Sequence, residues 1–123
     1  MILDTHVWLW FLTDDNKLSK RIKNQIDKNI QNYFISTISV WEACVLGEKK
    51  RIKYLSKNPY DLVRQLIKEI PIRVADINTE IVILSRELSF KHNDPADRII
   101  AATAYAYDPV SYTHLTLPTI CSV

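Results

Sequence analysis

Short apolar runs alternate with stretches of helical period along the chain. Met1-Ile2-Leu3 is an apolar run that stops at Asp4, and it predicts a buried strand. Val7 to Leu12 is apolar and aromatic, then breaks at Thr13-Asp14-Asp15-Asn16. Ile22, Ile26 and Ile30 recur at every fourth residue, one face of a helix whose surface carries Lys20, Arg21, Lys23 and Lys28. Tyr33-Phe34-Ile35-Ser36 is short and β-prone, a second strand. Val40, Trp41, Val45 and Leu46 predict a helix that ends near Gly47, followed by the basic turn Lys49-Lys50-Arg51-Ile52-Lys53. Leu62, Val63, Leu66, Ile67 and Ile70 mark another helix, which Pro71 ends. Ile72-Arg73-Val74-Ala75 reads as a third strand, and Ile77, Ile81, Leu84 and Leu88 fit a helix. Pro95 opens the last helix, through Ile99, Ile100, Ala101, Ala104 and Tyr105.

Strands that alternate with helices predict a parallel sheet with helices on both faces. Ligands of such sheets bind beyond the carboxyl ends of the strands, so polar residues just past each strand are the candidates. Asp4 ends the first strand. Glu42 lies six residues past the second strand, in the expected first turn of its helix. Asp97 lies in the first turn of the last helix, after Asp94 and Pro95. Strand ends and helix starts share one rim, so three carboxylates from distant parts of the chain converge there. Converging carboxylates repel and need a cation. An all-oxygen set without a His or Cys cluster suits Mg2+ or Mn2+, which polarises a phosphate and activates water. Each residue also has a structural reading. Ser39 and Glu42 form a capping box. Asp94 caps a helix with Pro95 at its first position and Asp97 at its third. Asp4 caps the helix that follows it.

Composition narrows the field. A chain of 123 residues, 47% hydrophobic and 24% charged, predicts one globular domain. Sixteen Lys+Arg against fourteen Asp+Glu give +2, too balanced to argue for nucleic acid on charge alone. The single glycine, Gly47, stands where average usage would give about nine. That excludes a Gly-rich phosphate loop or dinucleotide fingerprint and argues against a many-turned β-sandwich. Cys44 and Cys121 do not make a disulfide framework, and Cys44 reads as a small buried hydrophobe. No apolar run reaches membrane-spanning length and no basic leader opens the chain, so the expected location is cytoplasmic, away from membranes.

Three stretches carry a family resemblance. Ile2-Leu3-Asp4-Thr5-His6-Val7-Trp8-Leu9-Trp10 resembles the opening of a PIN domain of the VapC toxin type. Ile35-Ser36-Thr37-Ile38-Ser39-Val40-Trp41-Glu42 resembles its second motif. His92-Asn93-Asp94-Pro95-Ala96-Asp97-Arg98-Ile99-Ile100-Ala101-Ala102-Thr103-Ala104 resembles its third. The resemblance runs through residues 1–108. It implies a three-layer α/β fold, a short parallel sheet flanked by helices. It also implies a Mg2+- or Mn2+-dependent endoribonuclease that hydrolyses RNA phosphodiester bonds, the toxin of a toxin–antitoxin pair. By resemblance, Asp4 and Asp97 are direct metal ligands, and Glu42 binds a second metal or orients the attacking water. Thr5 is a hydroxyl behind them near the metal's water, and Asp94 is a cap or an outer carboxylate. The implied partners are RNA and a cognate antitoxin that docks in a hydrophobic groove. A homodimer is expected as well, with the tryptophans near the N-terminus as one candidate surface. An aspartyl-phosphate enzyme would want an Asp two residues past Asp4, where His6 stands.

The resemblance breaks after residue 108. Family members continue with an apolar strand ending in Thr-x-Asp, which supplies a fourth acid. Here no Asp or Glu follows Asp108. The closing strand and helix are therefore expected to be missing. Residues 109–123 are read as a tail foreign to the natural protein, similar to translated sequencing-adapter ends, although Leu115-Thr116-Leu117 has the β-propensity to pair. The missing acid favours a second reading, a catalytically impaired PIN-fold binding module for RNA or a protein partner. His6, His92 and His114 are read as surface or turn residues. Trp8, Trp10 and Trp41 are read as core or interface aromatics, and the basic turn as a solvated one.

Overall fold

The computed structural model describes residues 1–49, 58–89, 93–108 and the strand pair at 120–121. Its elements run β1 (Ile2–Leu3), α1 (Thr5–Leu12), α2 (Lys20–Lys28), a 3-10 turn (Ile30–Asn32), β2 (Phe34–Ser36), α3 (Thr37–Glu48), α4 (Pro59–Glu69), β3 (Arg73–Ala75), α5 (Thr79–Glu87), α6 (Pro95–Tyr107) and β4 (Ile120–Cys121). The expected α/β architecture is present. All pairings are parallel and the strand order is β3-β2-β1-β4. In register, Ile2 faces Phe34, and Phe34, Ile35 and Ser36 face Arg73, Val74 and Ala75.

The period-two alternation of strands divides the core between two faces. Leu3 and Ile35 point into a cluster with Val7 and Trp8 of α1, Leu18, Ile26 of α2, Ala43 of α3 and Val63 of α4. Ile2, Phe34 and Ala75 point the other way, against Ile100 and Ala104 of α6. The sheet is thus buried on both sides, as a parallel sheet must be. The alanines of α6 (Ala96, Ala101, Ala102 and Ala104) are all buried, and Ala104 packs with the sheet residues. Gly47 has a packing reason: a Cβ there would stand 2.8 Å from Cβ of Pro59, the rigid first residue of α4.

Several expectations shift. Ile30 leaves the face of α2 and falls in the 3-10 turn. The helix α3 begins at Thr37, capped by Ser36, whose hydroxyl accepts from the Ile38 amide at 3.2 Å. The expected capping box at Ser39 therefore does not form, and Glu42 sits in the second turn. Strand β2 ends in a buried hydroxyl residue that caps the next helix at once, so no linker separates them. The closing strand was expected to be missing, yet Ile120–Cys121 pairs in parallel with β1, Ile2 with Ile120 and Leu3 with Cys121. Two residues suffice because an unpaired edge of β1 offers its backbone groups to any extended segment. No helix among the described residues is long and apolar enough to cross a membrane.

Lys50, Arg51 and Lys53 of the basic turn lie outside the described residues, as do His92, His114 and Leu115-Thr116-Leu117. Lys49 is exposed. Trp8 is buried and Trp10 half-buried in the first core cluster, so the N-terminal tryptophans serve the core rather than an open dimer surface. Trp41 is 60% exposed.

Candidate active site

The order β3-β2-β1-β4 reverses direction at β1, and the crevice at such a switch lies beyond the carboxyl ends of the strands. Asp4 follows β1 directly. It occupies the N-cap position of α1 in extended conformation, but its side chain makes no cap hydrogen bond. The capping explanation for Asp4 therefore fails, and its carboxylate is left for other work. Asp94 behaves as the sequence suggests: its Oδ1 accepts from the Ala96 and Asp97 amides at 2.8 and 3.1 Å. That cap and Pro95 fix the first turn of α6, where Asp97 is half-buried.

Glu42 projects from the second turn of α3. Thr5, at the start of α1, brings its Oγ1 within 2.5 Å of Glu42 Oε1 and 2.8 Å of Ser39 Oγ. Thr5 and Ser39 are completely buried. A second buried hydroxyl pair lies below: Thr103 Oγ1 of α6 is 3.3 Å from Ser36 Oγ and donates to the Ile99 carbonyl at 2.7 Å. Arg98 ties α6 to α5, donating through Nε to the Ser85 carbonyl at 2.7 Å and through its terminal nitrogen to the Leu88 carbonyl at 3.0 Å. A guanidinium at these carbonyls satisfies the C-terminal end of α5 and locks the two helices together.

The acids lie near enough for Glu42 to feel the charge of the others. The pKa of Glu42 is raised above its ordinary value. Burial is the largest cause. The Thr5 hydroxyl bond opposes it, and the negative charges of Asp97, Asp4 and Asp94 push the value up further. The charges of Asp4 at the start of α1 and of Asp94 and Asp97 at the start of α6 thus reach Glu42 in the second turn of α3. Among the described residues, no group of three or more His, Cys, Asp or Glu side chains is placed to hold a metal ion. Hard Mg2+-type cations do not require one, because they keep several waters and take only one or two carboxylates. Asp4, Asp97 and Glu42 carry carboxylate oxygens, the donor type that such ions take.

The raised pKa of Glu42 makes a testable statement about stability. A carboxyl whose pKa rises on folding holds its proton more tightly folded than unfolded. Its ionisation therefore costs stability as pH rises from the ordinary value of 4.5 through the raised one. Glu42→Gln removes that cost. In metal-free urea unfolding, the variant should gain on the native protein between pH 4 and pH 7, by about 1 kcal/mol or less given partial exposure. A gap that stays constant with pH would contradict the placement of Glu42 among the other acids.

His6 is exposed, its ring 6.0 Å from that of Trp10 one turn away. An open cleft of about 270 Å³ lies elsewhere, lined by Phe11, Asp14, Lys20, Lys23, Asn24 and Asp27, and Lys23 pairs with Asp14 across it at 2.7 Å. None of the predicted site residues lines it. The buried partner that sequence reasoning missed is Ser39. A signal was available: Ser39 and Ala43 are small residues one turn apart, the mark of a helix face pressed against its neighbours.

No curated protein matches the chain. A family comparison does: residues 1–109 match the PIN domain. The PIN domain is generally a nuclease fold, and its nucleases usually use divalent metals. The parallel sheet between helices and the acidic rim at its carboxyl end agree with that match, which spans most of the sequence. The chain belongs to the PIN domain family.

Proposed function

We propose that this protein is a metal-dependent endoribonuclease that hydrolyses RNA phosphodiester bonds. The observation that carries the reading is the mutual field of Asp4, Glu42, Asp94 and Asp97 at the switch point of the sheet. In this reading Asp4 and Asp97 hold a Mg2+ or Mn2+ ion, and Glu42 holds a second ion or orients the attacking water. When bound, the metal neutralises phosphate charge and activates water. The chain's own residues supply the geometry. Asp94 fixes the first turn of α6 and so the position of Asp97. Thr5 donates to Glu42 and holds its carboxylate toward the rim. No nucleophilic side chain is required, because water displaces the leaving oxygen in line.

The finer role rests on the likeness of the three motifs to VapC toxins. It makes this protein, over residues 1–108, the cytoplasmic toxin of a toxin–antitoxin pair, a homodimer restrained by its antitoxin. The test is cleavage of a single-stranded RNA in Mg2+ or Mn2+, with EDTA as control. Metal-dependent cutting is the expected result; cutting that survives EDTA would contradict the reading. A second reading draws on residues 109–123, which carry no Asp or Glu. It is a PIN-fold binding module with impaired catalysis, and metal or RNA binding without cleavage would select it.

A further inference from the structure

Ser39 is completely buried, and its hydroxyl is not spent on capping, because Ser36 caps α3. It lies 2.8 Å from Thr5 Oγ1 on a different helix, 34 residues away in sequence. Thr5 Oγ1 in turn lies 2.5 Å from Glu42 Oε1. Counting protons fixes the direction of these bonds. A threonine hydroxyl has one proton and an ionised carboxylate has none to give. The Thr5 proton therefore points at Glu42, and the proton between the two hydroxyls belongs to Ser39. Ser39 donates to Thr5, and Thr5 donates to Glu42.

We infer that Ser39 is a positioning residue for Glu42, acting only through Thr5. Glu42 has three rotatable side-chain bonds and faces three other carboxylates that drive it toward solvent. Among the described residues a single hydroxyl donor restrains it, and that donor is itself free to spin unless something occupies its lone pair. Ser39 does so from inside the fold, out of reach of water. The chain Ser39–Thr5–Glu42 thus ties the carboxylate to the buried interior, and cooperative polarisation along it strengthens the outer bond. The kinetic consequence rests on the nuclease reading; the conformational one does not.

A double-mutant cycle on the full chain tests this, using Ser39→Ala, Thr5→Val and the two combined. Cleavage of a single-stranded RNA in Mn2+ is read as kcat and KM. In parallel, NMR scalar couplings report the Glu42 side-chain rotamer. Ser39→Ala should lower kcat about tenfold with KM little changed, in the range seen when a partner behind a ligand is removed. It should have no further effect once Thr5 is Val. Its couplings should show Glu42 averaging over rotamers. Ser39→Cys keeps a side-chain donor, a weaker one on a somewhat larger atom, and should fall between, which covers a poorly folding Ala variant. The inference is overturned if the loss persists in full in the Thr5→Val background. It is equally overturned if the Glu42 rotamer is unchanged in folded Ser39→Ala. If the native protein cuts no RNA, the nuclease reading fails alone, and the rotamer couplings still decide the role of Ser39.

Discussion

Asp4→Asn is expected to lower metal-dependent RNA cleavage by at least about a hundredfold, and Asp97→Asn to do the same. The substitution changes one atom and keeps the shape of the side chain. Folding should survive it. Asn is as good an N-cap residue as Asp, and Asp4 makes no side-chain cap bond to lose. What disappears is a negative charge at the carboxyl end of β1. Asp97→Asn loses in addition a favourable charge in the first turn of α6, a small effect of about 0.3–1 kcal/mol. Asp94→Asn is the matched control. Its amide oxygen still accepts from Ala96 and Asp97, so activity should fall far less than in the other two. Initial rates on a labelled RNA, with circular dichroism to check folding, measure all three. Full activity in folded Asp4→Asn would remove the reading of Asp4 as a ligand.

The largest stability effect is expected at Trp8. Its side chain is 1% exposed and sits in the cluster that joins α1 to β1, β2 and α2. Trp8→Ala should cost about 3–5 kcal/mol. That is a large share of the roughly 5–15 kcal/mol that holds a domain folded. Trp8→Phe should cost far less, within about 1.5 kcal/mol. The reason lies in one atom: the indole Nε1 is buried and has no hydrogen-bond partner among the described residues. An unsatisfied buried donor is a liability, and phenylalanine removes it while keeping most of the ring. Urea unfolding of the two variants reads the difference. A Trp8→Phe loss well beyond about 1.5 kcal/mol would mean that the indole N–H is satisfied in solution.

Much of the fold is legible in the sequence because burial leaves periodic marks. The spacing of Ile22 and Ile26 marks α2, and the short apolar runs at 1–3, 33–36 and 72–75 mark three strands that pair in parallel. The acidic rim follows from topology for Asp4, just past β1, and Asp97, in the first turn of α6, whereas Glu42 stands one turn further into its helix than the sequence suggests. Local signals fail where several compete. Ser36, Thr37 and Ser39 all suit a helix start, and the Glu42 partner makes Ser39 the more persuasive capping box. The structure chooses Ser36, because β2 runs straight into α3. The Ser39–Thr5–Glu42 chain was hidden for another reason. It joins residues 34 and 37 positions apart, and only tertiary packing brings them together. The pairing of Ile120–Cys121 with β1 leaves no periodic mark at all, since two residues cannot show a period.

The central claim is that the acids at the end of β1, on α3 and at the start of α6 hold a divalent cation. Calorimetric titration of the metal-free protein with Mn2+ tests it most directly, alongside Asp4→Asn and Asp97→Asn. The account predicts saturable binding to the native protein. Binding should release protons near the pKa of Glu42, because an approaching cation displaces them. Both variants should bind much more weakly. Absence of saturable binding by the native protein, or undiminished binding by the folded variants, would contradict it.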